Sequence, residues 1–124
     1  MKITAAAGAS LPRVPAFGDG LTAGYGLAPE KRLVPRLAAW VTRQGQPVHL
    51  VNDGVAGETT AQGRARIASR LAQHPPDGGI VELGRNDLRA GVSPARERPI
   101  WMRFWRWPAR LGVRCCWSES RPRA

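Results

Sequence analysis

Three short apolar runs, at residues 14–17, 48–51 and 80–83, alternate with two longer stretches whose apolar positions recur at helical spacing. The short runs predict β-strands. Pro15 weakens the first, because proline donates nothing to a ladder. Leu33, Leu37, Trp40 and Val41 predict a helix with these residues inward, Pro35 in its first turn and Gly45 as its stop. A second helix is expected from a cap at Thr59 or Thr60 to about Gln73, with Ala61, Ala65, Ala68, Leu71 and Ala72 on its inner side. The run from His74 to Gly79, with two prolines and two glycines, ends it.

Strand, helix, strand, helix, strand with short connections predicts an α/β fold built of parallel units with right-handed crossovers. Ligand chemistry in such sheets sits at the carboxyl ends of the strands. Three polar, glycine-containing segments fall there: residues 18–26, 52–60 and 84–89. Their convergence on one edge makes that edge the candidate site.

Charge divides the chain. Of its 124 residues, the first 91 hold 11 Lys/Arg against 7 Asp/Glu, a balance of +4. The last 33 hold 8 against 2, a balance of +6, together with four of the five tryptophans and both cysteines. This shift marks a boundary near Gly91. The expected organisation is a disordered stretch at residues 1–10, a domain part at 11–95 and a basic Trp/Arg-rich tail at 96–124 outside the fold. Cys115 and Cys116 are adjacent, poor geometry for a mutual disulfide, and no cysteine–histidine cluster has metal-ligand spacing. No apolar stretch suits a secretory leader or a membrane span, so a cytoplasmic location is expected.

The segments themselves are Gly18-Asp19-Gly20-Leu21-Thr22-Ala23-Gly24-Tyr25-Gly26, Asn52-Asp53-Gly54-Val55-Ala56-Gly57-Glu58-Thr59-Thr60 and Glu82-Leu83-Gly84-Arg85-Asn86-Asp87. In order and spacing they resemble the blocks of the SGNH (GDSL-type) hydrolases, especially the lysophospholipase, arylesterase and thioesterase I branch. The resemblance spans residues 13–95, about the first half of such a domain. It implies a three-layer, flavodoxin-like parallel sheet, here incomplete at about three strands. It also implies acyl-ester hydrolysis of a small or lysophospholipid-like substrate with neither metal nor organic cofactor. In that family a serine attacks, a histidine takes its proton and an aspartate orients the histidine, while backbone and amide donors hold the oxyanion. By the resemblance Gly57 and Asn86 are oxyanion donors. Asp19, Gly84, Arg85 and Asp87 complete the site loops.

The chain departs from that pattern at three points. Gly20 stands where the family has its serine and cannot form an acyl-enzyme. Arg85 replaces a small residue beside the oxyanion hole. The family's later Asp-x-x-His block is absent; the only histidines, His49 and His74, are expected on the opposite edge of the sheet. A truncated, catalytically defective relative is therefore expected.

Other readings bear on single residues. Asp19 is expected to shape its turn by bonding nearby backbone, and Glu82 to be a buried hydrogen-bonding group. Asp53 and Asp87 read as loop residues, not a metal pair. Gly18-x-Gly20-x-x-Ala23 fits a dinucleotide fingerprint loosely, but Pro29 interrupts the required helix. The tail admits two readings. Interleaved arginine and tryptophan suit an anionic membrane or nucleic acid. The same composition, broken by Pro99, Pro108 and Gly112, suits the product of a shifted reading frame.

Overall fold

The computed structural model describes residues 10–93, 95, 96 and 98. The stretch at 1–10, Ser10 apart, and nearly all of the tail at 96–124 therefore lie outside the described residues.

Strands β1 (Arg13–Gly18), β2 (His49–Gly54) and β3 (Ile80–Glu82) form one parallel sheet in the order β2-β1-β3. Arg13 to Gly18 pair with His49 to Gly54, and Ala16 to Gly18 with Ile80 to Glu82. The step from β1 to β2 and the step from β2 to β3 run in opposite directions across the sheet. Right-handed crossovers then put α2 (Leu33–Arg43) and α3 (Thr60–Gln73) on opposite faces. Central β1 is covered on both sides, and its last four residues are buried. Phe17 packs with Ile67 and Leu71 of α3, and Val81 and Leu83 close that core.

Pro15 sits in the central strand without breaking it. The carbonyls of Pro12 and Gly18 accept from His49 and Val55 on the β2 side, whereas Arg13 bonds Asp77 on the other. Alternation turns the Pro15 nitrogen toward β3, one residue before that ladder begins at Ala16. Its missing N–H therefore removes no ladder bond.

Several elements differ from the expectation. Strand β2 runs on through Asn52, Asp53 and Gly54. Asp53 is thus a strand residue, and Asp87 lies in a short helix rather than a loop. On α3 the buried stripe is Thr60, Gly63, Ile67 and Leu71. The alanines at 61, 65 and 72 are exposed, because the helix approaches the sheet along Gly63, where an added Cβ would strike Leu83. On α2 the buried residue is Val34; Leu33 and Trp40 are 47% and 52% exposed. Trp40 is therefore a surface residue, on the stripe beside the one that faces the sheet.

Both longer helices end as their sequences dictate. Thr59, not Thr60, caps α3: its side chain accepts from the Gln62 N–H while Gln62 reaches back to the Thr59 N–H, a reciprocal capping box. After α2 the chain turns at Gly45, in the left-handed region at φ 76°.

Candidate active site

The first site segment folds as a single helical turn. β1 ends at Gly18, and α1 (Gly20–Ala23) starts two residues later. Asp19 is the N-cap; its Oδ1 accepts from the Leu21 N–H at 2.9 Å. This is the turn-shaping role expected of it, in a side chain only 1% exposed.

The strand ends clamp that turn. A side-chain carbon at Gly54 would collide with the backbone of Ala23, and one at Gly18 with Thr22. Glycine at both positions is what lets α1 lie directly on the strand ends. The Asn52 amide donates to the Ala23 carbonyl at 3.3 Å, and the Thr22 hydroxyl to Glu82 Oε2 at 3.2 Å. Glu82 is half-buried, and desolvation holds its carboxyl above the usual range. The neighbouring Asp19 carboxyl pushes it the same way.

The second segment turns at Gly57, φ 81°, and is pinned by Glu58. The Glu58 carboxylate, 5% exposed, takes both Nε and an Nη of Arg66 at 2.8 and 2.7 Å. Arg66 also donates to the Asp53 carbonyl at 2.7 Å, and its guanidinium lies 5.6 Å from the centre of the Phe17 ring. Hydrogen bonding to Glu58 raises the Arg66 pKa further above its ordinary value.

The third segment forms α4 (Arg85–Arg89), which starts after Gly84 at φ 123°. Asp87, 2% exposed, anchors it. Its two oxygens accept from the Thr60 N–H at 2.8 Å and the Thr60 hydroxyl at 2.7 Å. One residue earlier, the Asn86 amide donates to the Glu58 carbonyl at 3.0 Å and to Asp19 Oδ2 at 3.3 Å. Asn86 thus ties all three segments together.

These segments line a half-open cavity of about 250 Å³. Asp19, Gly20 and Tyr25 line it from the first segment, Ala56 and Gly57 from the second, and Arg85, Asn86 and Arg89 from the third. The structure thus brings together Asp19, Gly20, Gly57, Arg85 and Asn86. Gly84 and Asp87 are absent from the lining: the first starts α4 and the second is turned into the α3 cap. Tyr25, Ala56 and Arg89 join the lining beyond the residues the resemblance implies; Arg89 lies four residues from Arg85 and so on the same helix face. No group of three or more His, Cys, Asp or Glu side chains among the described residues is placed to hold a metal. No described helix is long and apolar enough to cross a membrane.

Position 20 has room for a side chain. A Cβ built there meets nothing nearer than Tyr25 Cβ at 3.6 Å, and the backbone is not in the left-handed region. His49 opens β2 at the end away from the cavity, about 16 Å along the strand from Gly54 at the usual rise per residue. His74 is the C-cap of α3.

The sequence matches the GDSL-like lipase/acylhydrolase family over residues 16–114, a stretch that runs into the basic tail. It is 40% identical over 78 residues to an arylesterase of Vibrio mimicus, covering 63% of this chain and 39% of that protein. It is 36% identical over 82 residues to thioesterase 1/protease 1/lysophospholipase L1 of Escherichia coli, covering 63% and 36%. Among solved structures it is similar to AlinE4, an SGNH-hydrolase family esterase, with TM-score 0.77 and 38% identity over 82% of this chain and 55% of that one. TesA gives 0.76 and 28% over 82% and 56%. The chain thus spans about two fifths of the curated relatives it matches.

Proposed function

This chain belongs to the GDSL-like lipase/acylhydrolase family, and from that premise we propose that its cleft accepts an acyl group without turning an ester over. The observation that carries the reading is the placement of Gly20. It is the first residue of α1, directly beyond the central strand, and it lines the cavity with Gly57 and Asn86.

Acyl transfer at such a site needs an attacking oxygen or sulfur, a base for its proton, and donors preorganised for the oxyanion. Among the described residues, the cavity lining contains no Ser, Thr, Cys or His; its one hydroxyl is that of the exposed Tyr25, which has no histidine beside it. In an enzyme of this chemical type, loss of the nucleophile alone lowers kcat by about a millionfold. The donors are also compromised. An amide NH₂ has two hydrogens, and those of Asn86 are directed at Glu58 and Asp19. To serve an oxyanion, Asn86 would have to leave the longer bond to Asp19. Arg85 adds a bulky cation to the same wall.

The substrate class by this reading is a small acyl ester or a lysophospholipid-like ester, bound with no metal. Incubation of the purified chain with an aryl acyl ester tests it. The expected rate is the buffer background. Turnover that is lost in Asn86→Ala would contradict it. The arginines and tryptophans of residues 96–124 favour a second role, on an anionic membrane or nucleic acid; that reading rests on sequence alone. Salt-sensitive binding to anionic vesicles or DNA is its test.

A further inference from the structure

The cavity's charge is wrong for a neutral ester. Helix α4 places Arg85 and Arg89 four residues apart, and both line the cavity. Both are exposed, and neither has a hydrogen-bond or ion-pair partner among the described residues. Among the described residues, the one acidic residue in the lining is Asp19. It is 1% exposed and occupied, accepting from the Leu21 N–H and from Asn86. Among the described residues, the lining therefore combines two arginines without a partner and one engaged carboxylate. Tyr25, 83% exposed at the rim, and Ala56, also exposed, add a ring face and a methyl group to the same cleft. Gly20 adds no atoms beyond its backbone, so the space a nucleophile would fill is open.

We propose that this cavity binds a small carboxylic acid as its anion, with Arg85 and Arg89 holding the carboxylate and Tyr25 and Ala56 flanking a short acyl chain. The proposal rests on the reading of the cleft as an acyl site without turnover; it names the acid, rather than its ester, as the preferred ligand. Planar guanidinium forks match a carboxylate through paired, charge-assisted hydrogen bonds, which a neutral ester cannot make with comparable strength. An active hydrolase with the same preference would hold its own product and release it slowly. A cleft that completes no reaction carries no such penalty. The cleft is small and half open, about 250 Å³ against the roughly 300–1,000 Å³ of sites for drug-sized ligands, which favours a short chain. Inorganic phosphate suits the cations but leaves the ring face and the methyl group bare.

The test is titration of the purified chain with butyrate, ethyl butyrate and inorganic phosphate, followed by amide chemical shifts. Butyrate is expected to perturb the amides of Gly20, Gly57 and Asn86. Ethyl butyrate and phosphate are each expected to bind about tenfold more weakly. Arg85→Gln and Arg89→Gln should each weaken butyrate by about three- to tenfold with unchanged circular dichroism, since both side chains are exposed. Raising salt from about 50 to about 500 mM should weaken it further. Equal affinity for acid and ester, phosphate matching butyrate, indifference to both arginines, or no butyrate binding would each overturn the proposal. Ester turnover would strike instead at the reading beneath it, whatever the affinities.

Discussion

Asp87 and Thr60 are 27 residues apart in the chain and joined by two short hydrogen bonds in an interior that water does not reach. Thr60 is the first residue of α3, so its N–H has no partner within the helix. Its relative exposure is 0%, and that of Asp87 is 2%. Replacing Asp87 by Ala strands a helix N–H and a hydroxyl together and removes an anion from a helix N-terminus. Bonds to a charged acceptor contribute about 1.5–3 kcal/mol each, so the expected loss is about 3–6 kcal/mol. A domain of this size holds about 4–12 kcal/mol in all, so Asp87→Ala should remove a large share of the stability. Asp87→Asn keeps the shape. Its carbonyl can accept from the Thr60 N–H and its amide can donate to a reoriented hydroxyl, for a loss of about 1 kcal/mol. Urea unfolding followed by far-ultraviolet circular dichroism measures all three chains. An Asp87→Ala unfolding free energy within about 0.5 kcal/mol of the parent's, at equal slope, would refute the buried cap.

Gly54→Ala should destabilise by about 2–3 kcal/mol or more, because the new carbon meets the backbone of Ala23. Gly57→Ala meets no atom and should cost only the left-handed strain, about 1 kcal/mol; thermal melts separate the two. Glu82 has a raised pKa in the fold, so its contribution is complete below the ordinary glutamate range and is lost as pH rises through the raised value. Glu82→Gln should therefore gain stability relative to the parent between pH 4 and pH 8; a parallel decline of both melting temperatures would contradict that sign. Gly20→Ser should fold normally, since the cavity admits its Cβ. It should still fail to hydrolyse an aryl ester, since no histidine among the described residues lines the cavity.

What the sequence revealed depended on whether a signal was local. The apolar runs gave three strands, and the three glycine-rich segments gave the edge on which the site forms. The length of β2 was hidden because Asn52, Asp53 and Gly54 are polar or small for reasons outside the strand. Asn52 ties down α1, and Gly54 makes room for it. Helices α1 and α4, of four and five residues, are too short to show a period. Counting alanines misplaced the inner face of α3. What brings that helix close is Gly63 against Leu83, a contact no periodicity encodes. The resemblance supplied Gly57 and Asn86. It could not supply the Asp87–Thr60 cap, or the bond that turns Asn86 toward Asp19, because both depend on how separate segments meet. Arg89 was legible in hindsight, one helical turn from Arg85.

We propose that an acyl-hydrolase cleft persists here without a nucleophile and base among the described residues that line it. Incubating the purified chain with a fluorophosphonate and mapping adducts by mass spectrometry tests it most directly. No adduct is expected on any residue lining the cavity. A stoichiometric adduct on one of them, Tyr25 included, would contradict it.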